Sequence, residues 1–420
     1  MTDFLAHAAA LDASDVLGPL RYRFFGTGGP GHEAEAARPG MPLAYFDGNS
    51  LGRPALASIE RIEAFLRQEW GTRLIRSWDE EWMRLPYALG DKIGLAALGA
   101  APGQVFVADS TSVILFKLAR AAVDAQLERA PQRTEIVADS DNFPTDRFVL
   151  EAIAAERGLT LRWIDSDPEA GVTVEQVSNA VSESTALVLL SHVAYRSGFL
   201  ADGAAITTAA HNAGAMMLWD LSHSVGSVPV ELDEWGADFA AGCTYKYLCG
   251  GPGAPAFGYV AARHLEHVDQ PIHGWMGAAD VFSMGPRYEP GPGIVKFLTG
   301  TPPVLGMLAM EPVIDMIADA GIARIREKSV ALTELVIAFA DERLEPLGVR
   351  VASPRASDSR GGHVTLAHPL MRDATAKLWA RDVIPDYRDP GGLRIGLSPL
   401  TTSFSEVIVG LEAVAAVLSS

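Results

Sequence analysis

The sequence predicts an α/β protein in which a large domain with a mostly parallel sheet precedes a smaller α+β domain. From about residue 104, short apolar runs alternate with longer helical stretches, the pattern of a parallel sheet covered on both faces. Beyond about residue 305, long helical patterns precede and separate short strand-like segments, which is typical of an α+β unit. No internal repeat interrupts this order.

The elements of the large domain follow in sequence. Residues 55–70 place apolar side chains at helical spacing, and further helices are predicted over 112–122, 173–181 and 206–212. Between the helices, six apolar runs have strand length and little internal polarity. They are Val105–Ala108, Glu135–Ala138, Leu161–Ile164, Ala186–Ser191, Ala215–Trp219 and Phe257–Val260.

The smaller domain follows a proline-rich segment at 300–306. Helical patterns at roughly 304–318 and 322–343 lead into strand-like pieces. These pieces lie at 349–352, 363–367 and 393–397. We therefore expect three parts, an N-terminal arm over 1–42, a large domain over 43–304 and a small C-terminal domain over 305–420 that packs with the N-terminal segment.

The composition is acidic, with 34 Lys plus Arg against 52 Asp plus Glu and a net charge of −18. Without a local basic stripe, this balance disfavours a nucleic-acid partner. No apolar run is long enough to span a membrane, and the first residues lack a basic leader, so we expect a cytoplasmic protein with no membrane partner. Cys243 and Cys249 are the only cysteines, which excludes a disulfide framework and Cys-rich zinc sites.

Two short motifs carry little weight. Gly26–Gly31 formally matches a dinucleotide-binding loop, but it lacks the strand, turn and helix that such a loop requires. His264 and His267 could share a helical face, yet no third ligand accompanies them. We predict no metal site.

A strand-end carboxylate is the first informative feature. An apolar strand runs directly into Asp220, which is followed by small and polar residues. Open α/β sheets bind ligands at the carboxyl ends of their strands, so Asp220 is a candidate ligand contact. The alternative is an ordinary aspartate that caps the next turn.

A lysine between two aromatic residues is the second feature. Lys246 lies between Tyr245 and Tyr247, ahead of a glycine-rich turn and with no other charge nearby. Partial desolvation of its ammonium group would suit it to forming a Schiff base. Lys296 is the rival, because it too has apolar neighbours, but it lacks an upstream strand-end aspartate.

An aspartate paired with a Schiff-base lysine is what pyridoxal 5′-phosphate requires. The carboxylate keeps the pyridine nitrogen protonated, and the lysine stores the aldehyde as an imine. A phosphate cradle is then needed, and the hydroxyl-rich strand end that contains Thr111 and Ser112 supplies hydroxyls and free amides at a helix start. Taken alone, that segment could equally be a plain helix cap.

Several ordered motifs together resemble those of kynureninase, a fold-type-I pyridoxal-phosphate enzyme related to class-V aminotransferases. The likeness covers roughly residues 43 to 405. It rests on the cofactor segments above together with the stretches 47–52, 142–146, 245–247, 274–275 and 393–396. The resemblance implies a large domain built on a mostly parallel seven-stranded sheet and a homodimer with its active sites at the subunit interface.

The resemblance also implies roles for individual cofactor-site residues. Lys246 would hold the cofactor, Asp220 would pair with its ring nitrogen, and His223 would lie beside the ring. Phe143 would stack on that ring. Other positions match cofactor contacts of the family, with the last two reaching across the dimer interface: Thr111, Ser112, Tyr245, Asp146, Ser191, Trp275 and Thr301.

The substrate site is implied in the same way. Arg394 matches the residue that grips the substrate α-carboxylate, a bidentate task suited to arginine. Four further positions are expected near the substrate, namely Asn49, Ser50, Trp78 and Met276. Many family members have an aromatic residue and a histidine where this chain has Met276 and Ala278. The sequence therefore does not specify the aryl group of the substrate.

The implied activity is hydrolysis of L-kynurenine, 3-hydroxykynurenine or a close aryl analogue to an anthranilate and L-alanine, in tryptophan catabolism, the kynurenine pathway, NAD biosynthesis or a related pathway. Tyr245, or a water that it orders, is the candidate acid–base group for hydration of the γ-carbonyl. One alternative is a class-V lyase or desulfurase, which would need Cys243 or Cys249 as a mobile nucleophile. The other alternative is a catalytically silent protein that only binds the cofactor.

Overall fold

A computed structural model describes residues 2–28, 31 and 33–419. Gly29 and Pro30 of the glycine-rich stretch lie outside these residues, as do Met1 and Ser420 at the ends of the predicted arm and small domain. Thirteen strands are present in the described part of the chain. They are β1 (Ala44–Tyr45), β2 (Val105–Ala108), β3 (Glu135–Asp139), β4 (Thr160–Ile164), β5 (Thr185–Ser191), β6 (Met216–Asp220), β7 (Phe239–Gly242), β8 (Ala256–Val260), β9 (Arg350–Val351), β10 (His363–Ala367), β11 (Val383–Ile384), β12 (Asp386–Arg388) and β13 (Gly392–Gly396).

The α-helices among the described residues lie before, between and after these strands. They are α1 (Phe4–Ser14), α2 (Gly18–Arg21), α3 (Glu33–Ala36), α4 (Leu56–Ala64), α5 (Leu85–Ile93), α6 (Thr111–Arg129), α7 (Pro144–Arg157), α8 (Val174–Ala180), α9 (Gly203–Asn212), α10 (Leu232–Trp235), α11 (Val304–Leu308), α12 (Glu311–Ala320), α13 (Ile322–Phe339), α14 (Met371–Trp379) and α15 (Phe404–Leu418). Short π-helical segments continue α4, α5 and α13, at Phe65–Arg73, Gly94–Leu98 and Ala340–Leu344, and a further π-helical segment at Trp78–Trp82 precedes α5.

A seven-stranded sheet forms the centre of the large domain. Its strand order is β2-β8-β7-β6-β5-β3-β4, and all neighbouring pairs are parallel except those that involve β8. Successive side chains of a strand point to opposite faces, and both faces here are buried. On β5, for example, Leu187 and Leu189 join one hydrophobic cluster and Val188 and Leu190 join the other. This arrangement confirms the predicted α/β class and the mostly parallel sheet.

The six predicted strands all form, each within one residue of the predicted bounds. The seventh, β7, is short and consists of Phe239 followed by two alanines and a glycine, so it lacks the β-branched residues that mark strands. Helix α7 is likewise not among the predicted helices. The helix predicted over 304–318 is interrupted instead, because Pro312 lies in the first turn of α12 and cannot continue the hydrogen-bond ladder of α11.

The small domain is built on an antiparallel sheet with the order β12-β13-β10-β9. Its hydrophobic cluster runs from Leu332 on α13 to Val417 on α15 and includes Phe4 and Ala8 of α1. Residues 304–325 pack instead in the cluster of the large sheet. The domain boundary near 305 stays a prediction, as does the extent of the arm.

The N-terminal segment is tied to the C-terminal domain at several points. Helix α1 packs on α15, and the rings of Phe4 and Phe339 lie 5.1 Å apart. Asp12 accepts hydrogen bonds from the backbone amides of Phe404 and Ser405, at 2.7 and 2.9 Å. Strand β1 also pairs with β11. Helix α1 and strand β1 thus pack with the elements of the small domain, whereas α4 and α5 pack against the large sheet.

Candidate active site

The carboxyl ends of β5 and β6 position the first site residues. Ser191 and Asp220 are the last residues of these strands and lie side by side in register. Asp220 is 6% exposed, and its Oδ1 accepts hydrogen bonds from the backbone amide and the hydroxyl of Ser222, at 2.9 and 2.6 Å. Ser191 donates to Asn142 at 2.7 Å and lies 3.3 Å from Asp220 Oδ2. The aspartate is therefore fixed, with its charge directed at the end of the sheet.

A cavity of about 200 Å³ opens above these strand ends. It brings together eight of the residues predicted to contact the cofactor. The lining comprises Thr111, Ser112, Leu115, Phe143, Thr145, Asp146, Tyr195, Asp220, Ser222, His223, Tyr245 and Lys246. Leu115, Thr145, Tyr195 and Ser222 lacked a prediction, although Ser222 could have been found from the turn that an aspartate makes two residues earlier.

Lys246 and His223 are in direct contact in this cavity. The Lys246 ammonium lies 2.8 Å from Nε2 of His223. Burial and the positive charge of Lys246 hold the pKa of His223 well below its usual value, so its imidazole is neutral. The rival Lys296 does not line the cavity and is paired instead with Asp269, at 2.9 Å.

A glycine brings the 47–52 motif under the lysine turn. The Gly52 amide donates to the Tyr245 carbonyl at 2.8 Å. A Cβ on Gly52 would lie 2.3 Å from the Lys246 carbonyl oxygen and 2.4 Å from Cys249 Sγ. Only glycine fits at this approach, because real Cβ atoms do not come so close to backbone.

Arg394 and its neighbours form a second group next to the cavity. Arg394 is 1% exposed on β13 and donates to the Tyr195 carbonyl at 2.7 Å and to Ser50 Oγ at 2.8 Å. Tyr195 also lines the cavity, where its ring meets that of Phe143 edge to face at 5.4 Å. Buried Asn49 contacts Gly396, where any Cβ would collide with its amide.

Four predicted residues belong neither to the lining of this cavity nor to the groups around Asp220 and Arg394. Met276 is 1% exposed and packs in the core of the large domain, while Trp78 packs edge to face on Trp82 at 5.3 Å. Trp275 is 41% exposed and lines a separate cavity with residues 278–289, and Thr301 is exposed at the surface. The roles of all four stay predictions.

The buried cysteines are poorly suited to act as nucleophiles. Burial raises the pKa of both thiols, that of Cys249 to about 12. Because the thiolate is the reactive form, neither side chain supplies one at neutral pH. This electrostatic environment disfavours the desulfurase alternative.

Proteins named as kynureninases match nearly the whole length of this chain. The sequence is 41% identical over 401 residues to the kynureninase of Pseudomonas fluorescens, which covers 95% of this chain and 91% of that protein. The chain belongs to the kynureninase family. It is also 40% identical over 416 residues to the kynureninase of Burkholderia pseudomallei strain 1106a, covering 98% of this chain and 95% of that protein. The family described as "Kynureninase C-terminal domain" matches residues 325–414.

Solved structures share the fold of this kynureninase family member at lower identity. The apo cysteine desulfurase of Thermococcus onnurineus NA1 superposes with a TM-score of 0.74 at 20% identity, over 90% of this chain and 94% of that one. A variant of C-DES with glycine covalently linked to its PLP cofactor gives a TM-score of 0.75 at 18% identity, over 88% and 96%. These likenesses confirm the predicted fold type.

The cavity residues fit pyridoxal 5′-phosphate. Helix α6 begins at Thr111 with no side chain capping its first amides, which leaves these donors for a phosphate group. Asp146 also lines the cavity; it is buried and its Oδ2 has no hydrogen-bond partner, so a polar group of a ligand would satisfy it.

Among the described residues, no group of three or more His, Cys, Asp or Glu side chains could hold a metal ion. His264 is bonded to Asp238 at 2.7 Å. No helix in the described ranges is long and apolar enough to cross a membrane.

Proposed function

We propose that this chain is a pyridoxal-phosphate-dependent hydrolase that cleaves L-kynurenine to anthranilate and L-alanine. The observation that supports this proposal most directly is that one cavity brings Lys246, Asp220 and His223 together with the uncapped start of α6. Membership of the kynureninase family supports the same conclusion. We extend the proposal to 3-hydroxykynurenine and close aryl analogues, to a cytoplasmic protein of tryptophan catabolism, and to a homodimer.

When bound, pyridoxal 5′-phosphate supplies an electron sink that stabilises negative charge on the substrate Cα. Lys246 would hold the cofactor, the Asp220 carboxylate would keep its ring nitrogen protonated, and Thr111 would bind its phosphate with Ser112. Neutral His223 accepts a hydrogen bond from Lys246 and so orients the amine. Lys246 is then the group that moves a proton at Cα.

The hydrolytic half of the reaction needs an acid–base group near the γ-carbonyl. Burial raises the pKa of Tyr245 above its usual value, so the phenol is neutral and can donate a hydrogen bond. Tyr245 would assist addition of water to the γ-carbonyl, after which the Cβ–Cγ bond breaks and the aryl carboxylic acid leaves. Arg394 would hold the substrate α-carboxylate during these steps.

Anthranilate release from L-kynurenine, followed by its fluorescence, tests the activity. Lys246→Ala should lower the turnover rate by at least about 10³-fold, because no other group can hold the cofactor and move the Cα proton. Lys296→Ala is the matched control, since it removes the other candidate lysine, and it should retain turnover.

Borohydride treatment of the loaded protein tests the attachment independently of turnover. The added cofactor mass should appear on the peptide spanning 243–253 of the native protein and be missing in Lys246→Ala. Mass on the peptide of Lys296 would contradict the lysine assignment. Failure to release anthranilate from kynurenine or 3-hydroxykynurenine would overturn the substrate and leave the cofactor assignment standing.

A further inference from the structure

The guanidinium of Arg394 is already in contact with a carboxylate of its own chain. Nη2 donates to Ser50 Oγ at 2.8 Å and lies 2.5 Å from Asp386 Oδ2. Nη1 donates to the Tyr195 carbonyl at 2.7 Å, whereas Nε is buried without a partner. Asp386 belongs to β12, the edge strand beside β13.

The geometry of the guanidinium determines how this contact affects the binding of another carboxylate. A carboxylate that binds arginine bidentately uses two parallel N–H groups, either Nη1 with Nη2 or Nε with Nη2. Both pairs include Nη2. Because Ser50 and Asp386 occupy the Nη2 side, an incoming carboxylate can bind bidentately to Arg394 only if one of them withdraws.

Asp386 is the group that can withdraw. Its Oδ2 makes no hydrogen bond of good geometry, so its contact with Arg394 is an ion pair rather than an aligned bond. A second cation is already within reach, since Arg388 Nε lies 3.0 Å from the same oxygen. Asp47 is the other acid nearby, but it lies 3.9 Å from Nη2.

We infer that Asp386 occupies the side of Arg394 that an amino-acid α-carboxylate takes, and that it transfers to Arg388 when the carboxylate binds. Asp386 is thus a positioning residue that acts through Arg394. It holds the guanidinium in place, and it weakens the binding of every carboxylate by competing for Nη2. The inference rests on the proposed role of Arg394 as the carboxylate grip.

Calorimetric titration of the cofactor-loaded protein with L-alanine tests the competition without turnover of kynurenine. Asp386→Asn keeps the shape of the side chain and removes its charge. The variant should bind L-alanine roughly three- to tenfold more tightly than the native protein, since an amide competes less well for a guanidinium than a carboxylate does. L-alaninamide, which has no carboxylate, should bind both proteins equally.

Asp389→Asn is the matched control, because it removes the same charge three residues further on, from an exposed side chain that pairs with Arg372. It should change the L-alanine affinity less than Asp386→Asn does. Weaker or unchanged L-alanine binding by Asp386→Asn would overturn the inference. An equal gain for L-alaninamide would also overturn it, since the effect would then not concern the carboxylate.

Arg394→Gln separates this inference from the proposed function. If Arg394→Gln loses L-alanine binding while Asp386→Asn binds as the native protein does, only the competition is wrong. If Arg394→Gln binds L-alanine normally, Arg394 does not grip the carboxylate, and the inference falls with that part of the proposed function.

Discussion

At the scale of single residues, the site depends on side chains that have lost their contact with water. His223 stays neutral because burial and Lys246 disfavour its charge, and it can therefore accept a hydrogen bond from the amine. Burial also raises the pKa of Asp146 well above its usual value, with the nearby Asp220 charge as the second cause. Such perturbed groups, gathered in one cavity, are typical of catalytic sites.

Gly52 provides a test of how closely the 47–52 motif supports Lys246. Gly52→Ala would place a methyl group against the Lys246 carbonyl, and displacing that backbone costs on the order of 1–3 kcal/mol. We expect the variant to bind pyridoxal 5′-phosphate at least about tenfold more weakly, measured by equilibrium titration. Gly18→Ala is the control, because its Cβ would make only ordinary contacts. Equal affinity in both variants would contradict the argument.

Asp47 gives a prediction for the dependence of stability on pH. Burial raises its pKa from 3.8 to about 6, and its Oδ1 has no hydrogen-bond partner. The folded protein therefore holds this proton more tightly than the unfolded chain. The stability from that proton is complete below about pH 4 and is lost as the pH rises through about 6.

Asp47→Asn should consequently gain stability relative to the native protein by roughly 1–2 kcal/mol between about pH 4 and pH 7. Urea unfolding at a series of pH values measures this difference, and the value at pH 4 serves as the internal reference. A difference that does not vary with pH would show that Asp47 titrates normally.

Some of the site residues could be predicted from sequence and others could not, for a physical reason. Asp220 and Lys246 belong to local patterns, a strand end and a lysine in an apolar turn, which can be read within a few residues. Asp386 and the buried His363 next to His223 come from strands of the small domain. Their proximity to the cavity depends on how two domains pack, which no local pattern records.

At the scale of elements, helix starts are satisfied by side chains from distant parts of the chain. Asp12 of α1 accepts from two amides at the start of α15, where Ser403 also accepts from the Glu406 amide. A carboxylate at a helix N-terminus satisfies donors and interacts favourably with the helix dipole. This contact fixes the first helix of the chain to the last one.

Asp12→Ala should lower the free energy of unfolding by about 1–2 kcal/mol, because two amides lose their acceptor and a charge leaves the helix N-terminus. Urea denaturation measures the change. Asp12→Asn retains one acceptor oxygen and should lose less. Equal losses in the two variants would indicate that packing of α1, rather than the hydrogen bonds, is the stabilising contact.

Most elements could be predicted because hydrophobic periodicity is a local signal. Buried parallel strands such as β5 consist of unbroken apolar residues, and they were found within one residue. Strand β7 could not be predicted in this way. Small residues suit its crowded position between β6 and β8, but small residues have no strand preference. Predicting the break between α11 and α12 would have required giving Pro312 more weight than the apolar pattern around it.

At the scale of the whole molecule, several large apolar side chains lie exposed on the surface and do not line the cavity of their own chain. Trp275 is 41% exposed, and Phe282 and Met284 in the same region are 61% and 72% exposed. Exposed aromatic and aliphatic residues in one region are typical of a subunit interface. This placement supports the proposal that Trp275 and Thr301 serve the cavity of a second copy.

Shared sites predict complementation between two inactive variants. Lys246→Ala lacks the lysine proposed to hold the cofactor, and Trp275→Ala lacks the residue proposed to serve the partner's cavity, so each should be impaired alone. Coexpressed in equal amounts, they should recover about a quarter of native anthranilate release, because half of the dimers are mixed and each mixed dimer has one complete site. No recovery in dimers shown to be mixed by mass would contradict the shared arrangement.

The position of Arg394 on β13 limits how this protein can be dissected. Residues 325–414 match a family described as a domain, yet they carry His363, whose ring lies 5.7 Å from that of the cavity residue His223, and the pair formed by Arg394 and Asp386. The sheet of this segment is therefore not a detachable module. Under the proposed role of Arg394, exchanging this segment between relatives would transfer part of the substrate site along with the scaffold, so we expect a chimaera joined near residue 325 to take its ligand preferences from both parents.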